Sequence, residues 1–201
     1  MKIICIGRNF SDHAKEMNAE QPSEPVFFIK PETAFTSQTE LKIPEFTNNL
    51  NYELELVFRI SKTASNVVES DALAYFDAWT LGIDFTARDI QEELKAKRLP
   101  WEKAKAFDCS AFCAAFVNLS NQKLPENRFN LHLNKQLVQS GCISEMIFSP
   151  MQLLAYVSRF ITLHKDDLLY TGTPAGVGPL KSGDVLSGTY NFTQIFEIQM
   201  K

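Results

Sequence analysis

The 201-residue sequence predicts an α+β fold rich in β-structure, with few helices. Short apolar runs of strand length recur along the chain, separated by Gly and Pro. Residues 52–60 alternate strictly, with Leu54, Leu56 and Phe58 on one face and Glu53, Glu55, Val57 and Arg59 on the other. Only a few stretches carry a helical period. No internal repeat or long linker divides the chain, so residues 1–201 are expected to form one domain.

The elements follow in order. Residues 1–7 read as a buried strand ending at a Gly turn, and residues 11–18 as a short helix or turn with Ser11 at its N-cap. The polar stretch 18–25, with Pro22 and Pro25, reads as a loop; residues 26–30 read as a strand. Residues 31–50, with Pro31 and Pro44, suit only short extended pieces. Beyond the strand at 52–60, Ala72, Leu73, Phe76 and Trp79 give 69–80 a helical period. Residues 81–85 read as a strand and 86–97 as a helix. Short strands are expected at 115–119, 129–133 and 136–139, then a helix from Pro150 to Ile161 with Pro150 in its first turn. The end returns to strands at 168–171, 185–190 and 196–200.

Composition narrows the classes of function. A net charge of −4 without a block of Lys or Arg disfavours nucleic-acid binding. No apolar run approaches the roughly 20 residues of a membrane span, and the short apolar start meets Arg8 and Asn9 too soon for a signal-peptide core. Cys5, Cys109, Cys113 and Cys142 are scattered, which fits reduced buried thiols in a cytoplasmic protein. Sixteen Phe suggest a well-packed interior and an apolar surface for a partner subunit.

Glu53 and Glu55, two apart on a strand, point the same way. Two such acids repel unless a cation lies between them. A solvated strand face is the plain alternative, but the apolar neighbours argue for a central strand, where paired acids need a metal or a Lys. Asp84, ending the apolar run Leu81-Gly82-Ile83, is the third candidate ligand; a helix N-cap is its alternative role. Three carboxylates suit a hard cation, Mg²⁺ or Mn²⁺. His13 and Glu16 are three apart and face each other on one helical turn, as do Arg88 and Gln91.

These residues fall within five segments that together resemble the fumarylacetoacetate hydrolase family, in particular its small acylpyruvate hydrolase and oxaloacetate decarboxylase group. The segments are Gly7-Arg8-Asn9-Phe10-Ser11-Asp12-His13-Ala14, Tyr52-Glu53-Leu54-Glu55-Leu56-Val57, the run from Gly82 to Gln91, Leu99-Pro100-Trp101 with Lys105-Ala106-Phe107-Asp108, and Thr171-Gly172-Thr173-Pro174-Ala175-Gly176-Val177-Gly178. The resemblance implies a mixed rolled sheet of the family's C-terminal-domain type, a homodimer, and a divalent metal on Glu53, Glu55 and Asp84. It implies a small 2-oxo acid substrate, cleaved or rearranged through a metal-stabilised enolate. Lys105 would help hold the anionic substrate, His13 and Glu16 would form a general base that activates water, and Arg88, Gln91 and Thr173 would line the substrate site. The segment at 17–25 would close as a lid. The first expectation is hydrolysis of a C–C bond in an acylpyruvate-like 2,4-dioxo acid. Decarboxylation or keto–enol tautomerisation of oxaloacetate is the alternative, and a non-catalytic binding protein on the same fold is the third. The sequence departs from the family's pattern at Arg98 and at Asp166, where Gly is usual, and in the segment Ser110-Ala111-Phe112-Cys113-Ala114.

Overall fold

A computed structural model describes residues 1–16, 21–119 and 123–201, with the side chains of all these except residues 13–15. Among the described residues, three sheets of mixed direction carry the fold and the helices are few and short.

The largest sheet has eight strands. Its order runs Val26–Lys30, Ile3–Gly7, Leu168–Tyr170, Leu54–Ile60, Phe76–Asp84, Ala111–Cys113 and Phe35–Thr36, with Val117–Asn118 also paired to Phe76–Asp84. The strand at Leu54–Ile60 is central, as its apolar run predicts. Leu54, Leu56, Phe58 and Ile60 enter the main core on one side, and Val57 enters a smaller core with Ile3, Cys5, Leu168 and Tyr170 on the other. Burying each large apolar side chain contributes about 1.5–3 kcal/mol.

A five-stranded sheet covers the main core. Its order is Gln136–Gly141, Phe129–Leu133, Val185–Tyr190, Thr193–Met200 and Glu40–Leu41. It supplies Phe129, Leu131, Leu186, Phe196, Ile198 and Met200 to that core. Its two tight hairpins turn at Asn134-Lys135 and Asn191-Phe192, with all four residues at positive φ. That left-handed pair matches the right-handed twist of the flanking strands. A third, small sheet joins Gly178–Pro179, Leu50–Tyr52 and Thr86–Ala87.

Several elements differ from those the sequence predicts. Residues 69–80 are not one helix: Glu69–Tyr75 forms 3₁₀ turns and Phe76–Asp84 is a nine-residue strand. Phe76 and Trp79 fit a helical period by accident, while pairing on both sides drives the segment into the sheet. The strand expected over 52–60 breaks at Glu53, between Leu50–Tyr52 and Leu54–Ile60. The C-terminal helix stops at Val157, where Ser158 turns its hydroxyl to Ala155 O and accepts from Val67 N. Its start is as expected: Ser149 and Gln152 form a reciprocal capping box ahead of Pro150. A short helix at Glu102–Lys105 and the strand Ala111–Cys113 went unread. Of the cysteines, Cys5 and Cys113 are buried, Cys142 is half-buried and Cys109 is exposed, so buried thiols describe only two of the four. No described helix is long and apolar enough to cross a membrane.

Candidate active site

Glu55 projects into the smaller core, opposite Gly82 on the neighbouring strand. A Cβ at position 82 would lie 2.7 Å from Phe112 O and from Val57, and 2.9 Å from Tyr170, so only glycine fits there. Asp84 ends that neighbouring strand, and Glu53 sits in the break between the two strand segments. Asp84 N–H donates to Glu53 O at 2.9 Å, which draws the two acid-bearing segments together. One carboxylate oxygen from each of Glu53, Glu55 and Asp84 lies within 4.8 Å of the other two, and all three residues are buried.

Three cations face these three acids. Lys105 Nζ donates to Glu53 Oε2 at 2.9 Å, Asp84 Oδ2 at 2.8 Å and Thr86 Oγ1 at 2.6 Å. Those three bonds use every proton of the ammonium group. Burial works against the Lys105 charge, but Asp84 and Glu53 outweigh it and raise its pKa. Arg88 donates to Glu53 Oε1 at 2.6 Å and to Gln91 Oε1 at 2.6 Å. Lys30, fully buried, lies 2.6 Å from Asp84 Oδ1 and donates to Ser110 O at 2.7 Å.

Glu53 accepts three hydrogen bonds, from Arg88, Lys105 and Thr86, but Asp84 and Glu55 have fewer. Asp84 Oδ1 pairs with Lys30 by charge but outside hydrogen-bond geometry, and is the one buried side-chain polar atom among the described residues without a hydrogen-bond partner. Glu55 Oε2 accepts a single strong bond, 2.6 Å from Gly172 N. Burial, then repulsion from Asp84 and Glu53, pushes the Glu55 carboxyl well above its ordinary value. All-oxygen donors, a carboxylate oxygen with an ion-pair partner but no hydrogen bond, and a carboxyl that resists ionisation together fit a hard divalent cation.

The Gly-rich turn follows the strand Leu168–Tyr170. Gly172 takes φ +96°, and a Cβ there would meet the Asn9 Cβ at 2.7 Å. Asn9, from the opening motif, donates to Thr171 O at 2.7 Å and Phe148 O at 3.0 Å, and its Oδ1 accepts from Phe148 N at 2.8 Å. Gly176, at φ +98°, donates its N–H to the Glu16 carboxylate at 3.1 and 3.2 Å, which ties the helix Ser11–Glu16 to the turn. Gln139 donates to Thr173 Oγ1 and to Pro174 O, both at 2.8 Å.

The structure thus brings together Glu53, Glu55, Asp84, Lys105, Arg88 and Gln91, sets Thr173 on the turn that holds Glu55, and joins Glu16 to the same turn. The side chain of His13, and residues 17–20 of the expected lid, lie outside the described residues. Four polar residues went unread. Asn9 and Thr86 lie within motifs already noted. Lys30 ends an apolar strand, a signal that could have found it. Gln139 sits on an ordinary hairpin strand and gave no signal.

Residues 2–197 match the family profile of the fumarylacetoacetate (FAA) hydrolase C-terminal domain. The chain belongs to the fumarylacetoacetate hydrolase family. It is 44% identical over 184 residues to the mitochondrial oxaloacetate tautomerase of Bos taurus, covering 90% of this chain and 83% of that protein. It is 38% identical over 190 residues to the mitochondrial oxaloacetate decarboxylase of Dictyostelium discoideum, covering 92% and 86%. The crystal structure of a fumarylpyruvate hydrolase from Pseudomonas aeruginosa, in complex with Mn²⁺ and pyruvate, superposes with a TM-score of 0.94 at 32% identity, covering 100% of this chain and 89% of that one. The rolled mixed sheets and sparse helices are those of the family's C-terminal domain. The chain is an enzyme of this family.

Proposed function

We propose that this enzyme interconverts the keto and enol forms of oxaloacetate, or of a closely related 2-oxo dicarboxylic acid, using a divalent cation held by Glu53, Glu55 and Asp84. The charge count of the buried cluster carries this reading. Three carboxylates face three cations, Lys30, Lys105 and Arg88, so with all three acids ionised around a metal the protein's own charges sum to zero. A bound divalent ion leaves the site at +2, and a dianionic substrate restores neutrality in a place where burying net charge is costly. The names of the bovine and Dictyostelium relatives support oxaloacetate as that dianion.

A bound Mg²⁺ or Mn²⁺ would supply Lewis acidity that lowers the cost of enolate charge on the substrate. The chain's residues do the rest. Lys105 and Arg88 hold the ligand carboxylates in place. Arg88 occupies the Gln91 carbonyl oxygen and so leaves the amide NH₂ to meet the substrate. Thr173 donates to the substrate carboxylate. The His13–Glu16 pair moves the proton at C3, with Glu16 anchored by Gly176 N–H. Hydrolysis of an acylpyruvate-like substrate is the second reading, favoured by the likeness to the P. aeruginosa hydrolase; there the same pair would activate water. A homodimer remains the expected assembly. The two curated relatives are named as mitochondrial, so they lend no support to a cytoplasmic location.

The test is a spectrophotometric assay of the purified protein with oxaloacetate and with acetylpyruvate, each with Mg²⁺ and with EDTA. Metal-dependent acceleration of oxaloacetate enolisation, abolished in Glu53→Ala and strongly reduced in His13→Ala, is expected. Faster loss of acetylpyruvate would select the hydrolase reading, and full activity of Glu53→Ala would contradict the site.

A further inference from the structure

Gln139 reaches the site from the other sheet. Its strand, Gln136–Gly141, is an edge of the five-stranded sheet, and the pairing with Phe129–Leu133 shifts register between Leu131 and His132. Such a bulge can re-aim a side chain, and Gln139 is turned inward and buried. The approach is tight: a Cβ on Gly176 would lie 2.0 Å from Val138 O, so the hairpin packs directly on the Gly-rich turn.

Backbone groups fix which way the Gln139 amide points. Leu54 N–H can only donate, and it meets Gln139 Oε1 at 2.9 Å. Pro174 O can only accept, and it meets Nε2 at 2.8 Å. The amide therefore cannot be flipped. Its second N–H points at Thr173 Oγ1, 2.8 Å away, and the Thr173 oxygen must accept. The Thr173 hydroxyl proton is thus turned away from Gln139. Among the described residues, no hydrogen bond takes that proton. Leu54 is the residue between Glu53 and Glu55, so one side chain spans the ligand segment and the substrate-binding turn.

We propose that Gln139 is a positioning residue that fixes the Thr173 hydroxyl as a hydrogen-bond acceptor and so presents its proton to the substrate carboxylate. The proposal rests on the reading of Thr173 as the carboxylate's donor. It makes the second sheet part of the substrate site through Gln139, which bonds to the Leu54 backbone and to the Gly-rich turn.

Gln139→Glu separates the two ends of the amide. A carboxylate still accepts from Leu54 N–H but draws the Thr173 proton toward itself. The probe is pyruvate, titrated by calorimetry into the Mn²⁺-loaded protein, with Mn²⁺ affinity measured separately by electron paramagnetic resonance. Gln139→Glu is expected to weaken pyruvate binding about tenfold, the scale of one hydrogen bond to a charged group, with Mn²⁺ affinity within about twofold of wild type. In a Thr173→Val background the same change should weaken pyruvate binding less than about twofold, because the proton it redirects is gone. Equal weakening in both backgrounds would mean simple charge repulsion or general disruption and would overturn the proposal, as would wild-type pyruvate affinity in Gln139→Glu. Thr173→Val with wild-type pyruvate affinity would instead overturn the reading of Thr173 itself. Should Gln139→Glu fail to fold, Gln139→Met, which lacks both charge and donor, should show the same dependence on Thr173.

Discussion

The strand Leu168–Tyr170 has a buried carboxylate arrangement at each end, and the two are built on opposite principles. At its start, Asp167 is fully satisfied. Its Oδ1 accepts from Lys2 N at 2.7 Å, and its Oδ2 accepts from His164 N at 2.8 Å and lies 2.6 Å from Lys2 Nζ. At its end, Gly172 N–H gives Glu55 one bond, inside a cluster where Asp84 keeps an oxygen without a hydrogen-bond partner. Burial alone would raise the Asp167 pKa, but the hydrogen bonds from Lys2 and His164 outweigh it and hold the carboxyl below its usual range. Burial and like charges push Glu55 the other way. A buried acid with donors on both oxygens and no acid beside it is a clamp that stabilises the fold; buried acids crowded together, with Glu55 accepting one backbone bond and Asp84 Oδ1 none, suit a cation.

The contrast breaks most sharply at Glu55. Glu55→Gln should lower turnover by about a thousandfold or more, the loss expected when metal-assisted charge stabilisation disappears. Its melting temperature without metal should be no lower than that of wild type, because the change removes repulsion among the acids. A lower melting temperature with retained activity would reverse the assignment.

Asp167→Asn should do the opposite. It should destabilise the fold by about 2 kcal/mol through lost hydrogen bonds and the loss of the Lys2 partner, while kcat at low temperature stays near wild type. The pH dependence follows from the lowered pKa. The stabilisation is fully present above the unfolded-state pKa of an aspartate, about 4, and is lost as pH falls through the lower folded-state value. Urea unfolding at pH 7 should therefore separate the two proteins more widely than unfolding near pH 3.

A smaller effect sharpens the same comparison. Asp166, just before the clamp, takes φ +69°, and Arg98, before Leu99-Pro100-Trp101, takes φ +54°. These are two of the positions at which the sequence departs from the family's glycine, and both need the left-handed conformation that glycine adopts freely. Asp166→Gly and Arg98→Gly should each stabilise the fold by about 0.5–1 kcal/mol in thermal unfolding.

Much of this was legible in the sequence, and the reason differs by residue. Glu53 and Glu55 announce themselves because an alternating apolar strand leaves two acids on a face that must be buried. The strand ranges 26–30, 129–133 and 185–190 coincide with those observed, since local pattern and tertiary pairing agree there. Phe76 to Thr80 misled because a helical period arose by chance in a segment whose state is decided by strands distant in sequence. Lys30 shows as a charge ending an apolar strand, but its partner Asp84, 54 residues away, does not; Gln139 gives no local signal at all, because its role depends on Thr173, 34 residues away and brought near only by the topology.

The most direct test of the central claim is a titration of the metal-free protein with Mn²⁺, followed by electron paramagnetic resonance, for wild type, Glu55→Gln and Asp167→Asn. One ion per chain is expected in wild type and in Asp167→Asn, and loss of that ion in Glu55→Gln. Wild-type protein that binds no ion, or Glu55→Gln that binds one as tightly as wild type, would contradict the claim.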